Sequence, residues 1–411
     1  MRIRLQHTLV ALALVLPLTN THAQKSDQLK KLYDNHDWFQ LRQLVRSRNA
    51  STFYRGVVAA VSNDVVSAER YLFPVLNSSP ASVEAIDAYS LLTQTYMRVG
   101  RYRDALAMVE KALKLKPDDE GFKNVHRLLG ALGKYSEQSV SSRHSSRVHY
   151  TIRDGNLFVP VKVNGQSATA LVDTGANFSL ISAEEAKRLG LSIRDGAGAT
   201  LSDSAGTSVD FRLAVAEKFT LGEIELRNTV FFVMRDDQQP FVDLPIGERV
   251  IIGMPILLAL RSFRFDHRGN FDVGLSIGAR RSANMYFEGS EAIFEGEFRR
   301  QRIKIFLDSG ATRTRVLRRF AKEFRSFVDE KGTRSSDRIT GVGSSMELES
   351  KLLPEVKFRV TGTELVLRSA QVVLADSAVN SRWYHVWMGM DLLSQPRSVT
   401  INFREMRIDF N

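Results

Sequence analysis

The 411-residue sequence contains no cysteine. That absence excludes thiol catalysis, cysteine-ligated zinc, disulfides and lipid attachment to an N-terminal cysteine. Other chemistries are missing by motif. There is no G-x-S-x-G nucleophile elbow, no H-E-x-x-H pair and no phosphate-binding P-loop. Gly341-Val342-Gly343 lacks the third glycine and the strand–helix context of a dinucleotide fingerprint. The eight histidines are scattered, with His267 and His385 expected in loops rather than on a metal. Neither a metal nor a cofactor is expected.

Long apolar runs are equally scarce. The one that stands out, Thr8–Leu18, follows Arg2 and Arg4 and precedes Thr21-His22-Ala23. A basic start, a core too short to span a bilayer and a small-x-small site describe a signal peptide over 1–23, cut after Ala23. The expectation is an exported protein, periplasmic or secreted, with no stable membrane span. A glycan on the sequon at Asn177 would crowd Asp173, which favours a bacterial envelope over a eukaryotic secretory route.

Acids are in deficit. There are 57 Lys and Arg against 46 Asp and Glu, a formal charge of +11. Much of the excess lies between Arg299 and Arg325. Val316, Leu317, Phe320, Phe324 and Phe327 fall on one face of an expected helix there, and Arg318, Arg319, Lys322 and Arg325 on the other. This reads as a solvated basic face, and no nucleic-acid motif accompanies it.

What the chain does have is a duplication. Leu171-Val172-Asp173-Thr174-Gly175-Ala176 is echoed by Phe306-Leu307-Asp308-Ser309-Gly310-Ala311. Each is followed by an apolar pair ending in glycine, Ile251-Ile252-Gly253 and Trp387-Met388-Gly389. Asp173 precedes Gly253 by 80 positions and Asp308 precedes Gly389 by 81. Further on, Phe263–Asp266 corresponds to Val399–Asn402, and both copies run through a polar turn into a closing strand. The duplicated unit is a β lobe, and its duplicated polar residue is a carboxylate.

In each motif an apolar strand delivers an Asp into a turn that glycine tightens. The Thr or Ser beside it offers a hydroxyl to the opposite turn. If the lobes pair about a twofold axis, Asp173 and Asp308 meet at its centre and share one proton, because two adjacent carboxylates do not both ionise. Such a pair serves as general base toward water and general acid toward a leaving amine.

On these residues the sequence resembles the retropepsin-like aspartic proteases. Leu171–Ile181 and Phe306–Val316 match that family's catalytic segment, and the two apolar-apolar-Gly elements match the one that braces it. The resemblance covers about residues 148–411. It implies closed β lobes in tandem, as in pepsin-like enzymes, and peptide hydrolysis in a cleft between them. It assigns Asp173 and Asp308 as the catalytic pair, with Thr174 and Ser309 locking the loops and Gly175, Gly310, Gly253 and Gly389 shaping and bracing them. It also implies flap hairpins, for which Ser202–Val209 and Thr340–Glu347 are candidates. Arg313 and Arg315 depart from the family pattern and are candidate subsite residues. The implied partner is a peptide or protein substrate, and the dyad forms within a monomer.

Upstream, residues 24–133 read as helices. Tyr89, Leu92, Tyr96, Gly100, Ala105, Val109, Ala112 and Pro117 follow the spacing of the tetratricopeptide repeat, a weaker copy precedes them, and a capping helix follows. This array offers either a docking surface for a partner protein or a prop for the lobes. Residues 134–147 hold six serines and read as a linker. The expected architecture is therefore multidomain, an all-α helical-repeat domain followed by an all-β double barrel with lobes at 148–280 and 281–411. Two competing readings remain, a non-catalytic peptide-binding scaffold and a structural component of an envelope assembly.

Overall fold

The computed structural model describes residues 20–46, 50–196, 201–202, 208–209, 211–275, 282–340, 345–374 and 383–411. The expected signal peptide lies largely outside these residues. No described helix is long and apolar enough to cross a membrane.

Among the described residues, seven helices form the N-terminal region, α1 (Asn20–Asp34), α2 (Trp38–Leu44), α3 (Thr52–Val61), α4 (Val65–Ser78), α5 (Val83–Arg98), α6 (Tyr102–Leu115) and α7 (Glu120–Leu132). Ser51, Asp64, Ser82 and Asp119 start α3, α4, α5 and α7 by accepting a hydrogen bond from a first-turn amide. Consecutive helices pack as hairpins, and Ala68, Leu72, Ala88, Leu92, Ala105, Val109 and Ala112 fill the space between them.

The rest is β-rich, as expected, and consists of two barrels. In the first lobe six strands close on themselves in the order Asn156–Val163, Gln166–Val172, Val250–Ile252, Ser179–Ser182, Ile224–Met234 and Arg212–Leu221. In the second the order is Glu291–Phe298, Gln301–Leu307, Val386–Met388, Arg315–Val316, Thr363–Val373 and Ser345–Val360. The circuits are equivalent strand for strand. Asn164 and Gly165, both at positive φ, make the tight hairpin that the dipeptide foretells.

A five-stranded antiparallel sheet joins the lobes. Ser262–Asp266 of one copy pairs with Ser398–Asn402 of the other, with Arg264 opposite Thr400. These two residues are equivalent positions of the duplication. When equivalent residues face each other in an antiparallel pair, the local twofold passes between them. The axis that relates the lobes is thus built into their shared sheet.

Two expectations are corrected. The serine-rich stretch 134–147 is not a free tether, because Ser139–Arg143 pairs with Ile224–Met234 and Ser146–His149 pairs with Asn270–Val273. Sheet edges recruit backbone N–H and C=O groups whatever the side chains, and Val140 and Val148 pack against the core. The basic helix after Arg313 is two short helices, Arg318–Glu323 and Arg325–Lys331, with Val316 in a strand. The break at Phe324 gathers Phe320, Phe324 and Phe327 around Phe298, at centroid distances of 4.8, 4.8 and 5.2 Å.

The helical region is packed onto the second lobe rather than tethered to it. Along Gln301–Leu307 alternate residues share a face, so Lys304 and Phe306 lie on the side that continues to Asp308. Lys304 Nζ donates to the carbonyl of His36, in the corner between α1 and α2. His36 stacks on Trp383 at 3.5 Å, Trp38 Nε1 donates to Glu288 at 2.9 Å, and Phe39 meets the ring of Tyr286. Arg98, 3% exposed, donates to Ala60 O, Asn63 Oδ1, Thr95 Oγ1 and, across the junction, Gly289 O. Arg98→Leu would strand these acceptors, of which Ala60 O and Thr95 Oγ1 are buried and worth about 1–3 kcal/mol each. It is expected to lower the unfolding midpoint in urea substantially; an unchanged midpoint would show that the junction contributes little.

Candidate active site

Each Asp leaves its strand where that strand runs between two others. In the first lobe Ile251 sits between Leu171 and Leu180. In the second Trp387 sits between Phe306 and Arg315. Asp173 N donates to Ile252 O at 3.1 Å and Asp308 N to Met388 O at 3.0 Å. The backbone of each Asp is therefore fixed to the strand that carries the apolar-apolar-Gly element.

The glycines of that element are required by close approach. A Cβ on Gly253 would lie 2.4 Å from Phe178 O, and one on Gly389 would lie 2.7 Å from Ala311 O. Their amides donate to Ser179 Oγ and Thr314 Oγ1, both at 3.0 Å. Gly175 and Gly310 meet a different demand. A Cβ on Gly175 would fall 2.5 Å from Asp308 Cγ, and one on Gly310 would fall 2.3 Å from Asp173 Cγ. Each Asp is thus seated over the glycine of the opposite loop, and any side chain there would push the carboxyls apart.

The two loops are also tied reciprocally. Thr174 Oγ1 accepts from Ser309 N at 2.9 Å and donates to Leu307 O at 3.0 Å. Ser309 Oγ accepts from Thr174 N at 3.1 Å and donates to Val172 O at 2.7 Å. Thr174 is fully buried and Ser309 is 2% exposed, so these bonds do not compete with solvent.

The carboxyls hydrogen-bond to each other. Oδ1 of Asp173 accepts from Gly175 N and Ala176 N at 2.8 and 3.1 Å, and Oδ1 of Asp308 from Gly310 N and Ala311 N at 2.9 and 3.1 Å. Burial, and then the Asp308 charge, push the Asp173 carboxyl well above the usual carboxylate range. Burial also raises Asp308, but the indole N–H of Trp387 and the loop amides hold it back. Two buried acids in contact do not both ionise readily, so the pair shares one proton.

Of the other candidates, Arg315 is engaged by Asp337, with Nε to Oδ2 at 2.6 Å, so it is not free to face a ligand. Arg313 is exposed. The tips of the flap candidates, 203–207 and 341–344, lie outside the described residues. Their stems are hairpins, with Leu201 opposite Val209 and Thr340 opposite Ser345. His385 is buried beside its strand, bonding Lys304 N and Glu323. Among the described residues no group of three or more His, Asp or Glu is placed to hold a metal ion. Sequence reasoning missed Ser179 and Thr314, whose signal was a hydroxyl at the same place in both copies, and the polar edge of Trp387.

Residues 159–256 match the family described as aspartyl protease, so an aspartyl protease domain lies in the first lobe. Among solved structures, the chain is similar to a retropepsin-like aspartic protease from Rickettsia conorii, at 22% identity over 34% of this chain and 95% of that one, with a TM-score of 0.24. It is also similar to an aspartic proteinase from Irpex lacteus, at 12% identity over 64% of this chain and 96% of that one, with a TM-score of 0.39. No curated protein matches.

Proposed function

We propose that this chain is an aspartic endopeptidase that hydrolyses peptide bonds with water activated by Asp173 and Asp308. The observation that carries the reading is the seating of each carboxyl over the other loop's glycine, which holds two acids in contact at the lobe junction. The aspartyl protease match over the first lobe supports it.

In this reading the ionised carboxylate takes a proton from water as the water oxygen bonds to the substrate carbonyl carbon. The protonated partner gives its proton to the carbonyl oxygen. The resulting diol collapses as the C–N bond breaks, nitrogen receives a proton from the pair, and a hydroxyl returns one. The pair ends with the single proton it began with. Thr174 and Ser309 hold the geometry, Gly253 and Gly389 brace the loops, and the exposed Arg313 lies beside the Asp308 loop, where it would favour acidic residues in the substrate. Arg313→Ala should then relax that preference, and an unchanged cleavage pattern would remove Arg313 from the cleft.

The same proposal makes the enzyme an exported, periplasmic or secreted monomer whose helical array is of tetratricopeptide type. That the array shares an apolar cluster with Tyr286, Ile293 and Phe306 supports a role in supporting the second lobe. The test is cleavage of an unstructured peptide library from about pH 3 to about pH 8 by wild type and by Asp308→Asn. Cleavage that vanishes in the variant is the expected result. Equal cleavage by both would place the activity elsewhere, and none by either would favour a peptide-binding scaffold.

A further inference from the structure

The backbone amides hold the two carboxyls in matching ways, but the residue beside each carboxyl on the bracing strand differs. Ile251 of the first lobe and Trp387 of the second occupy the same register position, each directly opposite the residue two before its Asp. Ile251 has no polar atom to offer. Trp387 Nε1 donates to Asp308 Oδ2 at 2.5 Å, the oxygen that the loop amides leave open.

We propose that Trp387 is a positioning residue that makes the two carboxyls unequal, holding the negative charge on Asp308 so that the shared proton resides on Asp173. The inference rests on the dyad chemistry proposed above and assigns its steps. Asp308 takes the proton from water and later gives it to the leaving nitrogen, while Asp173 protonates the carbonyl oxygen and is reprotonated by a hydroxyl as the diol collapses. An indole N–H is a donor only, so it can bond a carboxylate oxygen but cannot accept from a carboxylic acid. A donor of that kind stabilises the ionised form more than the neutral acid. The ring is itself held in place, 5.7 Å from Phe306, and Arg315 on the neighbouring strand is committed to Asp337.

Among the described residues, the charged and titratable groups around Asp308 are few. Asp173 faces it directly. Glu291, on the strand Glu291–Phe298, is pushed up to about 7 by burial and by Glu288, accepts from Tyr384 at 3.4 Å, and opposes charge on Asp308. Arg315 and Asp337 neutralise each other on the side of Trp387, and Arg313 is exposed on the Asp308 loop. Within this set Trp387 is the side chain besides Asp173 that contacts the Asp308 carboxyl.

Trp387→Phe keeps the ring and removes the donor. The expected result is an acid limb of the kcat/KM profile moved up by about one pH unit, with kcat lowered about tenfold and KM little changed. An acid limb that stays in place would overturn the proposal, since a ring that only packs would not move it. A second readout needs no activity and no variant. With three tryptophans in the chain, the Trp387 indole N–H resonance of the wild-type protein can be followed as the dyad titrates. It should lie far downfield in the one-proton state and move upfield when Asp308 is protonated. A resonance indifferent to that titration would sink the proposal even if the enzyme is active. A resonance that titrates in a protein without peptidase activity would uphold Trp387 and reject the proposed function.

Discussion

Asp173→Asn is expected to abolish peptide hydrolysis and to make the protein more stable at neutral pH. Loss of a group that transfers protons in both halves of the reaction should cost at least about 10³-fold in kcat/KM. The gain in stability follows from the sign of the shift. Folding raises the Asp173 pKa above its ordinary 3.8, so above that value the folded chain binds more protons than the unfolded chain. Stability then falls as pH rises through the interval between the two values, and the full cost is present above the folded one. Asn keeps an N–H that can donate to Asp308 as the protonated acid does, and it has no proton to lose. The Tm at neutral pH should rise by about 2 °C or more, and the difference should vanish below the ordinary carboxylate range. A lower Tm at neutral pH would contradict the account of a burial-strained carboxyl.

Thr174→Val should do the opposite to stability and also damage catalysis. Valine nearly matches threonine in shape, so no cavity arises and the effect isolates the hydroxyl. Without it, Ser309 N and Leu307 O lose partners in a place water does not reach. Two such groups cost roughly 2–6 kcal/mol together. The loops would also be freed to drift, and a displacement of about 1 Å of a reacting group is enough for about a 10²-fold loss of rate. Ser309→Ala should behave alike, and the double variant should cost less than the sum because each residue supports the other's bonds. Thr174→Ser keeps the hydroxyl and should stay within a few-fold of wild type. Urea midpoints beside kcat/KM for this series decide the matter, and full additivity would show that the two hydroxyls act independently.

Much of the site could be read before any coordinates, because its residues recur. Asp173 and Asp308, Thr174 and Ser309, and Gly253 and Gly389 each stand in matching places, and duplication itself implies a twofold pairing that brings the acids together. The barrels were legible for a similar reason, since Asn164-Gly165 and the alternating strands state their own turns and faces. The serine-rich stretch misled because strand pairing at a sheet edge is a property of the backbone, to which composition is nearly blind. The segment after Arg313 misled because its apolar spacing suits a helix, whereas the ring cluster on Phe298 breaks it at Phe324. Arg315 stood out as an anomaly in the motif, but the acid that engages it, Asp337, lies 22 residues away on another strand.

The sequence by itself determined the class of site, two carboxylates in duplicated lobes with a hydroxyl lock beside each, because those features are local and periodic. Only the tertiary structure brought the indole of Trp387 to one of the two carboxyls and packed the helical region against the second lobe. Both depend on contacts between segments far apart in the chain, Trp387 with Asp308 and the α1–α2 corner with Glu288 and Lys304. A hydrogen bond acts over about 3 Å, and no pattern in the sequence states which distant atoms will come within that reach.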